Sequence, residues 1–113
     1  MHSNWKLRLD ARTEFKAAKV LRRLESAWDR SINVTLMEER DSGGHDVWFS
    51  FDHGGRSRAE TVVEAIALAE YIGGRWSLSG PVQGDFGMIS VGPRFQGIEV
   101  GEFHLTCNPS APD

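Results

Sequence analysis

The alternation of apolar and polar side chains changes period several times along this chain, and each change predicts an element. In "WKLRL", residues 5 to 9, Trp5, Leu7 and Leu9 fall on one side and Lys6 and Arg8 on the other. That two-residue period is the signature of a half-buried strand. From Arg12 to Asp29 the apolar positions Ala17, Val20, Leu21, Leu24, Ala27 and Trp28 recur at steps of three and four, which places them along one stripe of a helix. Ile32, Val34 and Leu36 then alternate with polar residues, "DSGGH" interrupts, and Val47, Phe49 and Phe51 alternate again. A β-hairpin follows from that pattern.

Ser57 and Glu60 have the S-x-x-E spacing of a capping box, in which serine and glutamate side chains each satisfy an unpaired amide at a helix start. The helix they open carries Ala59, Val62, Val63, Ile66, Ala69 and Ile72 as its expected buried stripe, and Gly73-Gly74 as its stop. The glycine-rich remainder holds three short strand candidates, "WSLS", "GMISVG" and "IEVGEFHLTC". In the last, Ile98 and Val100 have one parity and Phe103, Leu105 and Cys107 the other, so a bulge near Gly101 is expected.

The order strand, helix, strand, strand, helix, strand is packed most simply as an α+β, ferredoxin-like split βαβ sandwich. This βαββαβ core, with one or two further C-terminal strands, places two helices on one face of a mostly antiparallel sheet. Residues 1–107 are expected to form a single domain and 108–113 a flexible tail.

Composition narrows the chemistry. With 113 residues, 40% hydrophobic and 26% charged, the chain suits one globular core. Its longest apolar run, "AIALA", is too short to cross a bilayer, so no membrane partner is expected. One cysteine excludes an internal disulfide and a single-chain thiolate zinc cage, and a cytoplasmic location fits. No cofactor and no metal are expected.

The segment "GGHDVWFSFDHGG" at 43–55 reads almost as its own mirror image, with a His-Asp pair at each end. As a strand it separates Asp46 from Asp52 by about 20 Å, at roughly 3.3 Å per residue, too far for both ends to share one metal ion. The pairs are therefore expected to mark the strand's ends. The turn that follows, Gly54, Gly55, Arg56 and Ser57, runs into a helix N-terminus and is a possible anion site, although it has no P-loop spacing.

Charge is distributed unevenly: residues 1–30 hold eight Lys and Arg against four Asp and Glu, and the rest hold five against twelve. On the first helix Arg12, Lys16, Lys19, Arg23 and Arg30 project to one side, opposite the apolar stripe and with Phe15 beside them. Such a row suits phosphates or an acidic protein. Glu38, Glu39, Asp41 and Asp46 cluster at the hairpin tip, and Glu60 and Glu64 are expected to point away from the second helix's core. An acidic surface of this kind would steer a basic partner.

Catalytic signals are sparse. Glu102, His104 and Thr106 share one strand face and offer a carboxylate, an imidazole and a hydroxyl for acid-base work, but no activated nucleophile accompanies them. Cys107 is in phase with Phe103 and Leu105 as a core residue. The element order matches that of the RNA-recognition motif, but "GHDVWFSF" lacks that module's basic start and second glycine. The leading expectation is thus a non-enzymatic binding module, of inhibitor or immunity type, that blocks a basic nuclease- or toxin-like protein through its acidic residues. The alternatives are a nucleic-acid-binding domain using the basic stripe, and a small enzyme or ligand binder using Glu102 and His104. A homodimer is compatible with each.

Overall fold

The computed structural model describes residues 2–78 and 86–105. Eight elements follow in order: β1 (His2–Leu9), α1 (Glu14–Trp28), β2 (Asn33–Arg40), β3 (Gly44–Asp52), α2 (Arg58–Ile72), β4 (Arg75–Leu78), β5 (Phe86–Val91) and β6 (Ile98–Leu105). The strands form one six-stranded sheet in the order β2-β3-β1-β6-β5-β4, antiparallel at every pairing. The fold is α+β and compatible with a split βαβ sandwich. Neither of the two extra strands lies beyond the closing one. The first strand after α2 goes to the far edge, and the chain returns through β5 so that β6 pairs with β1. The expected end of the domain at Cys107 and the tail at 108–113 lie outside the described residues, as does Thr106.

The alternating residues of β1 and β3 supply the core. Trp5, Leu7, Leu9, Val47, Phe49 and Phe51 are buried against Ala17, Val20, Leu21, Leu24 and Trp28 of α1. Trp5 stacks on Phe103 with ring centroids 4.5 Å apart and tilts against Trp28 at 5.1 Å, arrangements that add to plain area burial. The Trp28 indole donates to the Leu68 carbonyl at 3.0 Å and so ties the two helices together. Thr13 caps α1, and Asp29 closes it in the left-handed region at φ 54°. The other sheet face carries Lys6, Trp48 and Glu102, all half-buried, with Arg8 and His104 exposed.

Three expectations about facing are corrected. The buried residues of α2 are Thr61, Ala65, Leu68, Ala69 and Ile72, whereas Val63 and Ile66 are exposed and Val62 only half-buried. Because α2 is apolar nearly all round, packing rather than periodicity chooses its inner face. In β2 a register shift between Val34 and Leu36 turns Leu36 to the open sheet face opposite Trp48 and brings Met37 into register with Val47. Adjacent apolar residues at 36 and 37 let either parity serve.

The bulge expected near Gly101 instead falls at Glu99, since Arg8 pairs with Val100 and Leu9 with Ile98. Gly101 itself stays in the ladder opposite Leu7, facing the core, where a Cβ would stand 3.3 Å from Leu7 Cδ2 and 3.6 Å from Ile72 Cγ2. Its missing side chain lets α2 approach the sheet closely.

Candidate functional site

The mirror-image segment is one strand from Gly44 to Asp52, and its two histidines have separate surroundings. His45 is buried, with Nδ1 2.7 Å from the Ala11 carbonyl. His53 is the centre of a longer network. Its Nδ1 lies 2.8 Å from Glu64 Oε1, its Nε2 lies 2.7 Å from Ser3 Oγ, and Trp5 Nε1 donates to that oxygen at 2.7 Å. Glu64 Oε2 also receives Arg56 at 3.0 Å and Arg30 at 3.6 Å.

The hydrogens in this network follow from what each group can do. A carboxylate only accepts, so Nδ1 of His53 carries the hydrogen; an indole N–H only donates, so Ser3 Oγ accepts it and gives its own hydrogen to Nε2. Every position is filled with His53 neutral. Burial holds the His53 imidazole below its ordinary value of 6.5, against the opposing pull of Glu64. For Glu64 burial pushes upward, but the His53 hydrogen bond and the Arg56 and Arg30 charges outweigh it, leaving the carboxyl below 4.5.

A hydroxyl, an imidazole and a carboxylate joined in this order have the connectivity of an acyl-transfer triad. Access is missing: Ser3 has no exposed surface and its oxygen already holds the Trp5 indole. A nucleophile must reach a substrate atom, so this cluster as it stands fastens β1, the end of β3 and α2 to one another. Ser3, His53 and Glu64 are far apart in sequence and share no motif. One local sign was Glu64 itself, three residues after buried Thr61 and four before buried Leu68, where a carboxylate at the rim of the core needs partners.

The network changes the acidic surface. Of the six acidic residues expected to face a partner, Glu64 is engaged by His53, Arg30 and Arg56. Asp46 sits 3.5 Å from both Arg8 and Arg40, and Glu60 completes the Ser57 capping box at 3.2 Å. Glu38, Glu39 and Asp41 remain exposed at the β2–β3 tip. They lie at the outer end of β2, an edge strand solvent-facing along most of its length, with Val34 42% and Leu36 46% exposed.

The Gly54–Ser57 turn is filled by the chain's own carboxylates. Asp52 accepts from the Gly54 amide at 2.8 Å, Glu60 accepts from the Ser57 amide, and Arg56 is drawn to Glu64. The Gly54 hydrogen bond holds Asp52 below the usual carboxylate range, as the Ser57 bonds do Glu60. These are the interactions of a capped helix start. Glu102 and His104 do meet, 3.9 Å apart on the open sheet face, while Thr106 lies outside the described residues. Among the described residues no three His, Cys, Asp or Glu side chains are grouped to hold a metal ion, and no helix is long and apolar enough to cross a membrane.

The basic stripe of α1 is also rearranged. Arg30 turns to Glu64 and lies over the Phe51 ring at 5.8 Å, and Arg12 reaches toward Gly43 in the hairpin turn. Lys16, Lys19 and Arg23 stay together and are joined by Arg22, which the stripe did not include. They line a groove of about 700 Å³ between α1 and residues 96–97. Phe15 stands 66% exposed with Lys19 Nζ 5.0 Å from its ring centroid.

Comparison of the chain with protein-family models, with curated proteins and with solved structures finds no match.

Proposed function

We propose that this chain is a non-enzymatic binding module that docks a basic partner protein along the β2 edge and the acidic tip beside it. The carrying observation is the state of β2: eight residues at the sheet's edge, exposed along most of their length and ending in the three free carboxylates Glu38, Glu39 and Asp41. An open edge offers backbone donors and acceptors to an added strand. The register shift after Val34 and the charges that follow discourage indiscriminate pairing. A basic extended segment is then selected, because like charge is repelled and opposite charge speeds encounter.

An inhibitor or immunity-type protein that blocks a nuclease- or toxin-like enzyme would work in this way, and a reducing cytoplasm suits its single cysteine. The β2-β3-β1-β6 core reads as ferredoxin-like, with β4 and β5 as a hairpin added at the opposite edge, so the docking edge is unencumbered.

The test is a pull-down from native lysate with mass spectrometry, using the wild-type chain beside two variants. One reverses charge at Glu38→Lys, Glu39→Lys and Asp41→Lys; the other places Lys at Val34 and Leu36. The expected result is a basic protein retained by the wild type and lost by both variants. Equal retention by the charge-reversed form, an acidic partner, or self-association of the chain through β2 would overturn the reading.

A further inference from the structure

The groove beside α1 belongs to a different surface from the β2 edge, and its charge is unspent. Elsewhere in the described residues Arg8, Arg30, Arg40 and Arg56 each have a carboxylate within 4 Å. Among those residues no carboxylate pairs with Lys16, Lys19, Arg22 or Arg23, although all four line one groove. Asp10 lines it too, outside ion-pair range of any of them. Holding like charges together without counter-charge is unfavourable, and a polyanion entering the groove would relieve that repulsion.

The wall opposite α1 is rigid. Gly97 has φ 96°, and a Cβ there would stand 2.7 Å from Val20 Cγ2, so only glycine lets the 92–97 turn close on the helix. The Gly97 carbonyl accepts from the Asp10 amide at 3.1 Å. Gln96 then directs one of the cations: its side-chain oxygen accepts from Arg23 Nη1 at 3.2 Å and its carbonyl from Nη2 at 3.3 Å. A guanidinium fixed in advance loses less freedom on meeting a phosphate than a free one.

Two features decide the class of anion. The groove, at about 700 Å³, matches a ligand of a few nucleotides' width. Phe15, 66% exposed, presents a ring next to Lys19 at its margin. A bare phosphate chain has no use for an exposed ring, whereas an unpaired base stacks on one, typically for about 1–3 kcal/mol. We infer that this groove binds single-stranded nucleic acid, with Lys16, Lys19, Arg22 and Arg23 on successive phosphates and Phe15 under a base.

The experiment is fluorescence anisotropy of a short labelled oligothymidylate with the full chain, against inorganic polyphosphate and a duplex of the same length as competitors. Neutralising about three or four phosphates on a single strand weakens affinity roughly 20- to 50-fold between 50 and 200 mM salt, and that slope is expected. Lys19→Gln with Arg22→Gln should flatten the slope by about two. Phe15→Ala should weaken oligothymidylate about tenfold and leave polyphosphate unchanged. Lys6→Gln, on the open sheet face, is the charge-matched control and should bind as wild type, with circular dichroism confirming that each variant folds.

The inference is overturned if no oligonucleotide binds at low salt, if the double glutamine variant binds like wild type, or if Lys6→Gln loses as much. It is equally overturned if polyphosphate or duplex competes as well as the single strand and Phe15→Ala changes nothing. None of these readings depends on the β2 edge.

Discussion

Replacing Ser3 by alanine removes one oxygen that serves two buried partners. The Trp5 indole N–H and the His53 Nε2 each reach that oxygen at 2.7 Å, and both residues are at least 97% buried. A buried polar group left without its partner costs about 1–3 kcal/mol, so the two together cost about 2–6 kcal/mol. That is a large share of the roughly 5–15 kcal/mol by which a domain is stable. With a urea dependence of about 1–2 kcal/mol/M for a chain of this size, the unfolding midpoint should fall by more than about 1 M.

Tryptophan fluorescence in urea at about pH 8 measures this, and repeating the titration at lower pH tests the histidine. Because burial depresses His53 below 6.5, the unfolded chain takes up a proton before the folded one does as pH falls. Stability is therefore complete above 6.5 and declines below it. Glu64, depressed below 4.5, adds a second decline as pH falls from 4.5 toward its lower folded value. His53→Gln should flatten the first decline. A Ser3→Ala midpoint within about 0.3 M of wild type, or wild-type stability that rises as pH falls from 6.5, would refute the account of a closed hydrogen-bond network.

Other outcomes test the packing directly. Met37→Lys should lower the thermal midpoint clearly, while Leu36→Lys should move stability by no more than about 0.5 kcal/mol; the reverse order would mean that the β2 register is wrong. Gly97→Ala, at φ 96° and 2.7 Å from Val20 Cγ2, should cost about 1–3 kcal/mol by urea unfolding. Ser57→Ala removes the oxygen that caps α2 and should cost about 1 kcal/mol in the same assay.

Local signals carried the strand and helix assignments. The alternation of Trp5, Leu7 and Leu9, the stripe from Ala17 to Trp28 and the Ser57–Glu60 box each lie within a few residues of sequence, and each is realised. Facing was harder wherever apolar residues crowd. Val62, Val63 and Ile66 make more than one stripe available to α2, and the contacts of Trp28 with Leu68 and of Ile72 with Gly101 decide between them. The charged surfaces were least legible, because pairing is a property of distant chain segments. Asp46 meets Arg8 across a strand, Arg30 meets Glu64 across two elements, and only what those contacts leave over can act on a partner.

The strand order also bears on how the molecule is made. On a ribosome β1 emerges early, yet its second neighbour is residues 98–105, so Trp5 and Leu7 wait beside an empty seam through most of synthesis. A nascent chain in that state is a natural client for a chaperone, and pairings so distant in sequence slow the final closure. Damage to β6 would thus reopen the sheet at its middle, where loss of an outer strand such as β4 would only trim it.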